Sequence, residues 1–135
     1  MTLNADFNYD AALFNPPAPA ISIEVRSPAF AMNSYAEHIL ALIDTGADGT
    51  LIPWSIIERL NLQQVDQVEV TGYNQRDYQL KPVFSAHISI PRLKPLIIRA
   101  IPIESDDYAI IGRDIINKWQ LDLNGPGLVG SIGVG

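Results

Sequence analysis

The sequence lacks cysteine and has only 2 histidines, which limits the chemistry available to the protein. Without thiols there can be no disulfide, no thiolate nucleophile and no cysteine-ligated zinc or iron–sulfur site. His38 and His87 have no third ligand at metal-binding spacing, and no serine stands in a Gly-x-Ser-x-Gly context. The sequence therefore predicts chemistry that needs no metal and no other cofactor.

Basic residues and long apolar runs are also scarce. The chain has 9 Lys and Arg residues against 15 Asp and Glu residues, and its net charge of −6 argues against a nucleic-acid partner. The first residues, MTLNADFNYDAALFNPP, lack the basic and apolar regions of a signal peptide, and no segment has the length of a membrane span. We therefore expect no membrane partner and a cytoplasmic location.

The 135 residues are enough for one domain, which we divide into three parts. Residues 1–20 end in the proline-rich NPPAPA and are expected to form an arm or linker outside the core. Residues 125–135 are glycine-rich and form either a flexible tail or a short strand with an unusual pairing partner. Residues 21–124 are the expected folded domain.

Hydrophobic patterns within this domain favour β-structure. ISIEV and VFSAHISI alternate apolar and polar residues, and EHILALID suits a strand that is buried on both faces. Two short helices are predicted, one in PWSIIERLN and one in GRDIINKWQ. The predicted fold class is all-β with one or two short helices.

The stretch ALIDTGADGTLIP places two aspartates and a Gly-Ala pair between apolar flanks. Asp44 directly follows the apolar ILALI, so its carboxylate should emerge at the end of a buried strand. Asp and Gly are also common in solvent-facing turns, although the flanks lack the polar residues expected beside an exposed loop. This stretch alone supports a carboxylate held for chemistry and an ordinary turn about equally.

A second element, IIGRDII, lies further along the chain, and together with LIDTGADGT it resembles the retroviral-type aspartic proteases, or retropepsins, over residues 21–124. Members of this family carry an Asp-Thr/Ser-Gly-Ala loop and an apolar-apolar-Gly-Arg-Asn/Asp element before a C-terminal helix. The resemblance implies a closed β-barrel, the half-lobe of an acid protease. It also implies a homodimer, because acid proteolysis needs two carboxylates and the chain has one Asp-Thr-Gly triplet.

The resemblance assigns roles to individual residues. Asp44 is the implied catalytic carboxylate, Thr45 braces the two loops across the dimer axis, and Gly46 presents its carbonyl to the substrate. Asp48 matches a position that binds substrate backbone and forms an ion pair with Arg113. The other implied substrate-binding residues are Ala47 in the loop, Gly72 and Tyr73 in a flap hairpin over Val68–Pro82, and Tyr108 and Ile110 at the cleft wall, where core packing is the alternative.

The activity implied by the resemblance is that of an aspartic endopeptidase acting on extended peptides or proteins. Water would be activated between two Asp44 carboxylates, and apolar cleft walls suggest hydrophobic or aromatic side chains near the cut. Two alternatives keep the same fold. One is a non-catalytic dimeric module that binds a peptide, although the intact Asp44-Thr45-Gly46 argues against it. The other is a latent precursor whose arm must be removed near NPPAPA.

Overall fold

A computed structural model describes residues 3–30, 35–70 and 79–134. The strands in these ranges are β1 (Leu3–Asp10), β2 (Ala18–Arg26), β3 (Glu37–Ile43), β4 (Leu51–Pro53), β5 (Gln64–Val70), β6 (Gln79–Ser89), β7 (Leu96–Ile103), β8 (Ala109–Ile111), β9 (Gln120–Asn124) and β10 (Val129–Val134). Two helices, α1 (Trp54–Arg59) and α2 (Arg113–Ile116), and a 3₁₀ turn at Pro28–Phe30 join them. The predicted all-β fold with two short helices is confirmed.

Six of the strands close into a barrel. Hydrogen bonding connects β6, β7, β4, β8, β3 and β2 in that order, and β2 also pairs with β6, which completes the ring. Most neighbours are antiparallel, but β3 runs parallel to β8 and β4 runs parallel to β7. The closed half-lobe expected from the resemblance is confirmed.

The barrel interior is filled mainly by isoleucine, valine and alanine side chains. Along β2 the buried residues alternate with more exposed ones, so that Ile21, Ile23 and Val25 point inward. Other strands contribute the fully buried Ile52, Ile88 and Ile111, and helix α2 contributes the fully buried Ile115. The period-two patterns in the sequence therefore give the inward faces of the barrel strands.

Each short helix begins at or close to the end of a strand, α1 directly after β4 and α2 one residue after β8. α1 follows Pro53, whose fixed φ suits a helix start, and it buries Ile56 and Ile57 against the barrel. α2 follows Gly112 and buries Ile115 and Ile116. Among the described residues, no helix is both long enough and apolar enough to cross a membrane.

The N-terminal segment departs from the expectation that residues 1–20 lie outside the core. β1 pairs antiparallel with β10 from Leu3–Val134 to Asn8–Val129, and Ala5 and Phe7 are buried. The glycine-rich end is thus a strand over Val129–Val134, and β9 pairs with its other side. The boundaries at residues 20 and 124 remain a prediction. The physical reason for the difference is that β1 and β10 contribute Ala5, Phe7 and Ile132 to the hydrophobic core.

β5 and β6 form an antiparallel hairpin at one edge of the sheet, in the region predicted to be the flap. The pairing runs from Gln64–Phe84 to Val70–Gln79, with an irregularity between Gln64 and Asp66. The predicted tip residues Gly72 and Tyr73 lie outside the described residues. The stem of the predicted hairpin is therefore present over the described part of the chain.

Candidate active site

Asp44 is the first residue after β3, and its loop holds the carboxylate in place. The Asp44 amide continues the parallel ladder by donating to the Ile111 carbonyl at 3.0 Å. The Gly46 amide donates to the carboxylate Oδ1 at 2.9 Å, and the Ala47 amide donates to the Asp44 carbonyl at 3.1 Å. Asp44 is half-buried, while Thr45 and Gly46 are exposed. Thr45 and Gly46 therefore face outward, and the Gly46 amide fixes the orientation of the Asp44 carboxylate beside them.

Gly46 is the residue that permits this close turn around the carboxylate. A Cβ atom at this position would lie 3.2 Å from Asp44 Oδ1, closer than most Cβ contacts in proteins. The amide of Gly46 is also the donor to that oxygen, so a side chain would crowd the hydrogen bond it makes. A small residue is required here by the position of the Asp44 carboxylate.

Arg113 ties the Asp44 loop to the start of α2. Its amide donates to the Ala47 carbonyl at 2.9 Å, and its Nη1 donates to the Thr45 carbonyl at 2.8 Å. Its Nη2 forms an ion pair with Asp48, whose side chain is largely exposed. The structure thus brings Arg113 into contact with three residues of the loop, Thr45, Ala47 and the expected ion-pair partner Asp48.

Thr50 and Gly112 form a second, buried connection between the loop and α2. Thr50 is completely buried; its hydroxyl donates to Asp114 Oδ1 at 2.8 Å and accepts the Gly112 amide at 3.3 Å. A Cβ at Gly112 would stand 2.9 Å from the Gly49 nitrogen and closer still to the Gly49 carbonyl. Sequence reasoning did not assign a role to Thr50. A hydroxyl among the apolar TLIP residues was the available signal.

A cavity of about 510 Å³ opens between the Asp44 loop and the β5–β6 hairpin. The predicted substrate-binding residues Ala47 and Asp48 line it, together with residues that sequence reasoning missed: Gly49, Leu51, Val68, Glu69, Val70, Val83, Arg99, Ile101 and Asp114. Its walls are mostly aliphatic, with charged groups at the rim. This combination can accommodate side chains of an extended peptide lying beside the loop.

An ion pair supports the hairpin side of the cavity. Asp66 on β5 is bonded by Arg99 on β7, so the pair spans the intervening strand β6. The backbone amide of Gln67 and then the Arg99 guanidinium hold the pKa of Asp66 below its usual value. Because Arg99 also lines the cavity, the pair sets the position of one cavity wall.

Ile110 and Tyr108 occupy different surroundings at the other side of the loop. Ile110 on β8 lies between Leu42 on β3 and Leu51 on β4, which are its register partners, and all three are half-buried. Tyr108 precedes β8, and its ring meets the Phe14 ring edge to face with centroids 4.9 Å apart. The structure therefore brings Ile110 beside Leu51, which lines the cavity, and places Tyr108 against Phe14.

The described residues also show whether a metal site or another cavity is present. Within residues 3–30, 35–70 and 79–134, no three His, Asp or Glu side chains lie close enough to hold a metal ion. A second hollow, of about 530 Å³, lies over β1, β9 and β10 and is lined by residues remote in sequence from the Asp44 loop. The 510 Å³ cavity, by contrast, is lined by Ala47, Asp48 and Gly49 of the loop that carries Asp44.

Comparison with known proteins gives a consistent picture. The sequence matches the family described as retroviral aspartyl protease over residues 15–124. A search of curated proteins finds no match. Among solved structures, a retropepsin-like aspartic protease from Rickettsia conorii superimposes with a TM-score of 0.62 at 11% identity, covering 99% of this chain and 93% of that protein.

Two viral structures are also similar. EIAV protease, solved with the inhibitor HBY-793, gives a TM-score of 0.50 at 18% identity. The match covers 82% of this chain and 92% of the EIAV protease chain. The foamy viral protease-reverse transcriptase, solved with an RNA/DNA hybrid, gives a TM-score of 0.53 at 16% identity. The match covers 76% of this chain but only 12% of that longer protein. At these identities the structural likeness concerns the fold.

Proposed function

Because the chain belongs to the retroviral aspartyl protease family, we propose that it is an aspartic endopeptidase whose catalytic carboxylate is Asp44. The observation that supports the proposal is the position in which the Asp44 carboxylate is held. It follows a barrel strand, receives the Gly46 amide at 2.9 Å, and stands beside two exposed loop residues. A surface turn would need neither the buried Thr50 connection nor the Arg113 contacts beneath it.

The active form we propose is a homodimer. Each chain holds a single Asp-Thr-Gly triplet, whereas activation of water between carboxylates requires two. Two copies related by a twofold axis would bring both Asp44 loops together, with the exposed Thr45 and Gly46 at the axis. Thr45 would brace one loop against the other, and Gly46 would offer its carbonyl to the substrate backbone.

The proposed reaction is hydrolysis by general acid–base catalysis. One Asp44 carboxylate removes a proton from water, whose oxygen attacks the scissile carbonyl carbon, while the protonated partner carboxyl gives its proton to the carbonyl oxygen. The carboxyl that took the proton from water then gives it to the amide nitrogen as the carbon–nitrogen bond breaks. The other carboxylate takes a proton from a hydroxyl of the intermediate, which leaves an amine, a carboxylic acid and the original pair of Asp44 carboxyl groups. Two neighbouring carboxylates share one proton readily, because both cannot ionise at close range.

The proposed substrate is an extended peptide or an unfolded protein segment. Aliphatic residues such as Leu51, Val70 and Ile101 line the cavity beside the loop, which favours hydrophobic side chains near the cut. Ala47 leaves room for them, and Asp48 would bind the substrate backbone while its ion pair with Arg113 holds it in place.

The experiment that tests the proposal is cleavage of an unfolded protein from acidic to neutral pH. We expect wild type to cleave it and Asp44→Asn to be slower by about 10³-fold or more, because the substitution keeps the shape but alters the carboxylate pair. Asp107→Asn, a change of an exposed aspartate in another loop, is the matched control and should cleave like wild type. Equal cleavage by Asp44→Asn, or none by dimeric wild type, would refute the proposal.

A further inference from the structure

The loop between β1 and β2, residues 11–17, reaches the segment just before β8 through the contact of Phe14 with Tyr108. Its two ends are fixed by the strand pairs Tyr9–Pro19 and Asp10–Ala18. Within it, the Leu13 amide donates to Asp10 Oδ2 at 2.7 Å. Because both flanking strands belong to the sheet, the position of this loop is set by the fold.

Phe14, at the centre of this loop, contacts Tyr108. The two rings meet edge to face, with centroids 4.9 Å apart and an interplanar angle of 67°. This arrangement is one that aromatic pairs prefer. Both residues are half-buried, whereas the neighbouring Leu13 is 48% exposed.

Tyr108 stands at the end of an apolar surface that begins at the cavity. Leu42, Ile110 and Leu51 are register neighbours on three adjacent strands, so their side chains share one face. Leu51 lines the cavity beside the loop. Tyr108 directly precedes β8 and stands two residues before Ile110, the spacing at which residues of an extended chain point to the same side of a sheet. We call Leu42, Ile110, Leu51 and Tyr108 the apolar floor.

We propose that Phe14 is a specificity-determining residue, because its ring and that of Tyr108 end the apolar floor and limit the size of the substrate side chain bound there. This inference rests on the proposed peptidase function. Tyr108 lies four residues before Gly112, which follows the Ile111 carbonyl that accepts the Asp44 amide, and four residues of extended chain span about 13 Å. The substrate side chain concerned therefore lies within about four residues of the cut.

The test compares Phe14→Ala with Leu13→Ala, which shortens the adjacent and more exposed apolar residue. Both are assayed on peptides that carry Ala, Leu, Phe or Trp at each of four positions on either side of the cut. At one position we expect Phe14→Ala to raise the Trp-to-Ala ratio of kcat/KM by about tenfold or more. Leu13→Ala should leave every ratio as in wild type. A ratio is used because a general folding defect lowers all rates together.

A second comparison joins Phe14 to Tyr108. If the two rings form one wall, then Phe14→Ala and Tyr108→Ala should affect the same substrate position, and the double variant should change its ratio by less than the product of the single effects. Ratios that stay within twofold of wild type in Phe14→Ala, or that change equally in Leu13→Ala, would overturn the inference. Wild-type cleavage would leave the peptidase proposal standing in that case.

Peptide binding separates the failure of this inference from that of the proposed function. The same peptides are titrated by calorimetry into Asp44→Asn alone and into the double variants that combine Asp44→Asn with Phe14→Ala or with Leu13→Ala. A wild-type protein that cleaves nothing would refute the peptidase proposal. The affinity ratios would still test the role of Phe14. A Trp-to-Ala affinity ratio that rises with Phe14→Ala but not with Leu13→Ala supports the inference that Phe14 limits side-chain size. Unchanged ratios, or no peptide binding, reject it.

Discussion

Gly112 joins β8 to α2 at a point where the Gly49 backbone passes directly against it. A Cβ atom there would stand 2.9 Å from the Gly49 nitrogen and nearer to its carbonyl, so one of the two backbones would have to move. Neither can move freely, because the Gly112 amide binds Thr50 and the next amide binds Ala47. The position of the Asp44 loop therefore depends on the absence of a side chain at Gly112.

We predict that Gly112→Ala lowers the free energy of unfolding by about 1–3 kcal/mol, the range typical of an overpacked site. Urea unfolding of the purified variant measures this. Gly125→Ala is the matched control, since a Cβ at Gly125 meets nothing within 4 Å. If both variants unfolded at the same urea concentration, the close approach to Gly49 would not constrain the loop.

Thr50→Val tests the buried hydroxyl that links the loop to α2. Valine keeps the shape but leaves the Gly112 amide and Asp114 without their partner, so we expect a loss of about 1–3 kcal/mol in the free energy of unfolding. Thr50→Ser keeps the hydroxyl and should retain most of the stability. Thermal or urea unfolding measures both. A serine variant as unstable as the valine variant would show that the methyl group matters more than the hydrogen bonds.

At the scale of elements, local patterns were enough to predict the barrel strands β2, β3 and β6 and both helices. The inward faces of β2 and β3 follow from alternating or continuous apolar residues. The helix starts follow from Pro53 and from Gly112 with its preceding apolar strand. The Asp44 loop could be found in the same way, because it interrupts an apolar stretch with residues that only a tight turn needs.

Contacts between distant elements could not be predicted from local pattern. Phe7 lies against Gly130 on the paired strand, and nothing near either residue indicates the other. Arg99 reaches the cavity from β7, and Phe14 reaches Tyr108 from the β1–β2 loop. Each of these depends on sheet order and register, which are set by packing of the whole barrel.

The pairing of β1 with β10 leads to a prediction about Phe7. Phe7→Ala should lower the free energy of unfolding by about 3 kcal/mol, because Phe7 is 9% exposed and its ring fills space over Gly130. Asn8→Ala changes the next, exposed residue of the same strand and should be nearly neutral. Urea unfolding distinguishes them. A neutral Phe7→Ala would mean that β1 is a detachable arm.

Glu37 connects the start of β3 to helix α1 and makes stability depend on pH. It is 7% exposed and accepts Arg59 Nε at 2.5 Å. A hydrogen bond from Tyr35, and then the Arg59 guanidinium, lower its pKa despite the burial of the carboxyl group. Because the folded pKa lies below the unfolded value, this stabilisation is fully present above about pH 4.3 and is lost as the pH falls through the folded value.

We therefore predict that Glu37→Gln costs about 1–3 kcal/mol of unfolding free energy at pH 7, and that its difference from wild type shrinks as the pH falls below about 4. Urea unfolding at pH 7, 5, 4 and 3 measures the difference. Glu58→Gln, at an exposed position on helix α1, serves as the control and should show little difference from wild type at any pH. A Glu37→Gln difference that stayed constant down to pH 3 would contradict the ionic role of this carboxyl group.

At the scale of the whole molecule, the proposed dimer requires each active unit to use two chains. If wild type and Asp44→Asn are mixed in equal amounts and allowed to exchange subunits, about a quarter of the dimers should be fully wild type. Cleavage per wild-type chain should then fall to about half of its unmixed value. The assay is repeated before and after exchange. Unchanged cleavage after verified exchange would show that one chain suffices.

The strand pair formed by β1 and β10 also has a consequence for the order in which the molecule is completed. Leu3 and Val134 are register partners, so this pair closes a loop that contains nearly the entire chain. Contacts of such long range form late, because the entropy of loop closure must be overcome first. Since Phe7 and Ile132 are both buried, a nascent chain can finish its core only after Val134 has left the ribosome.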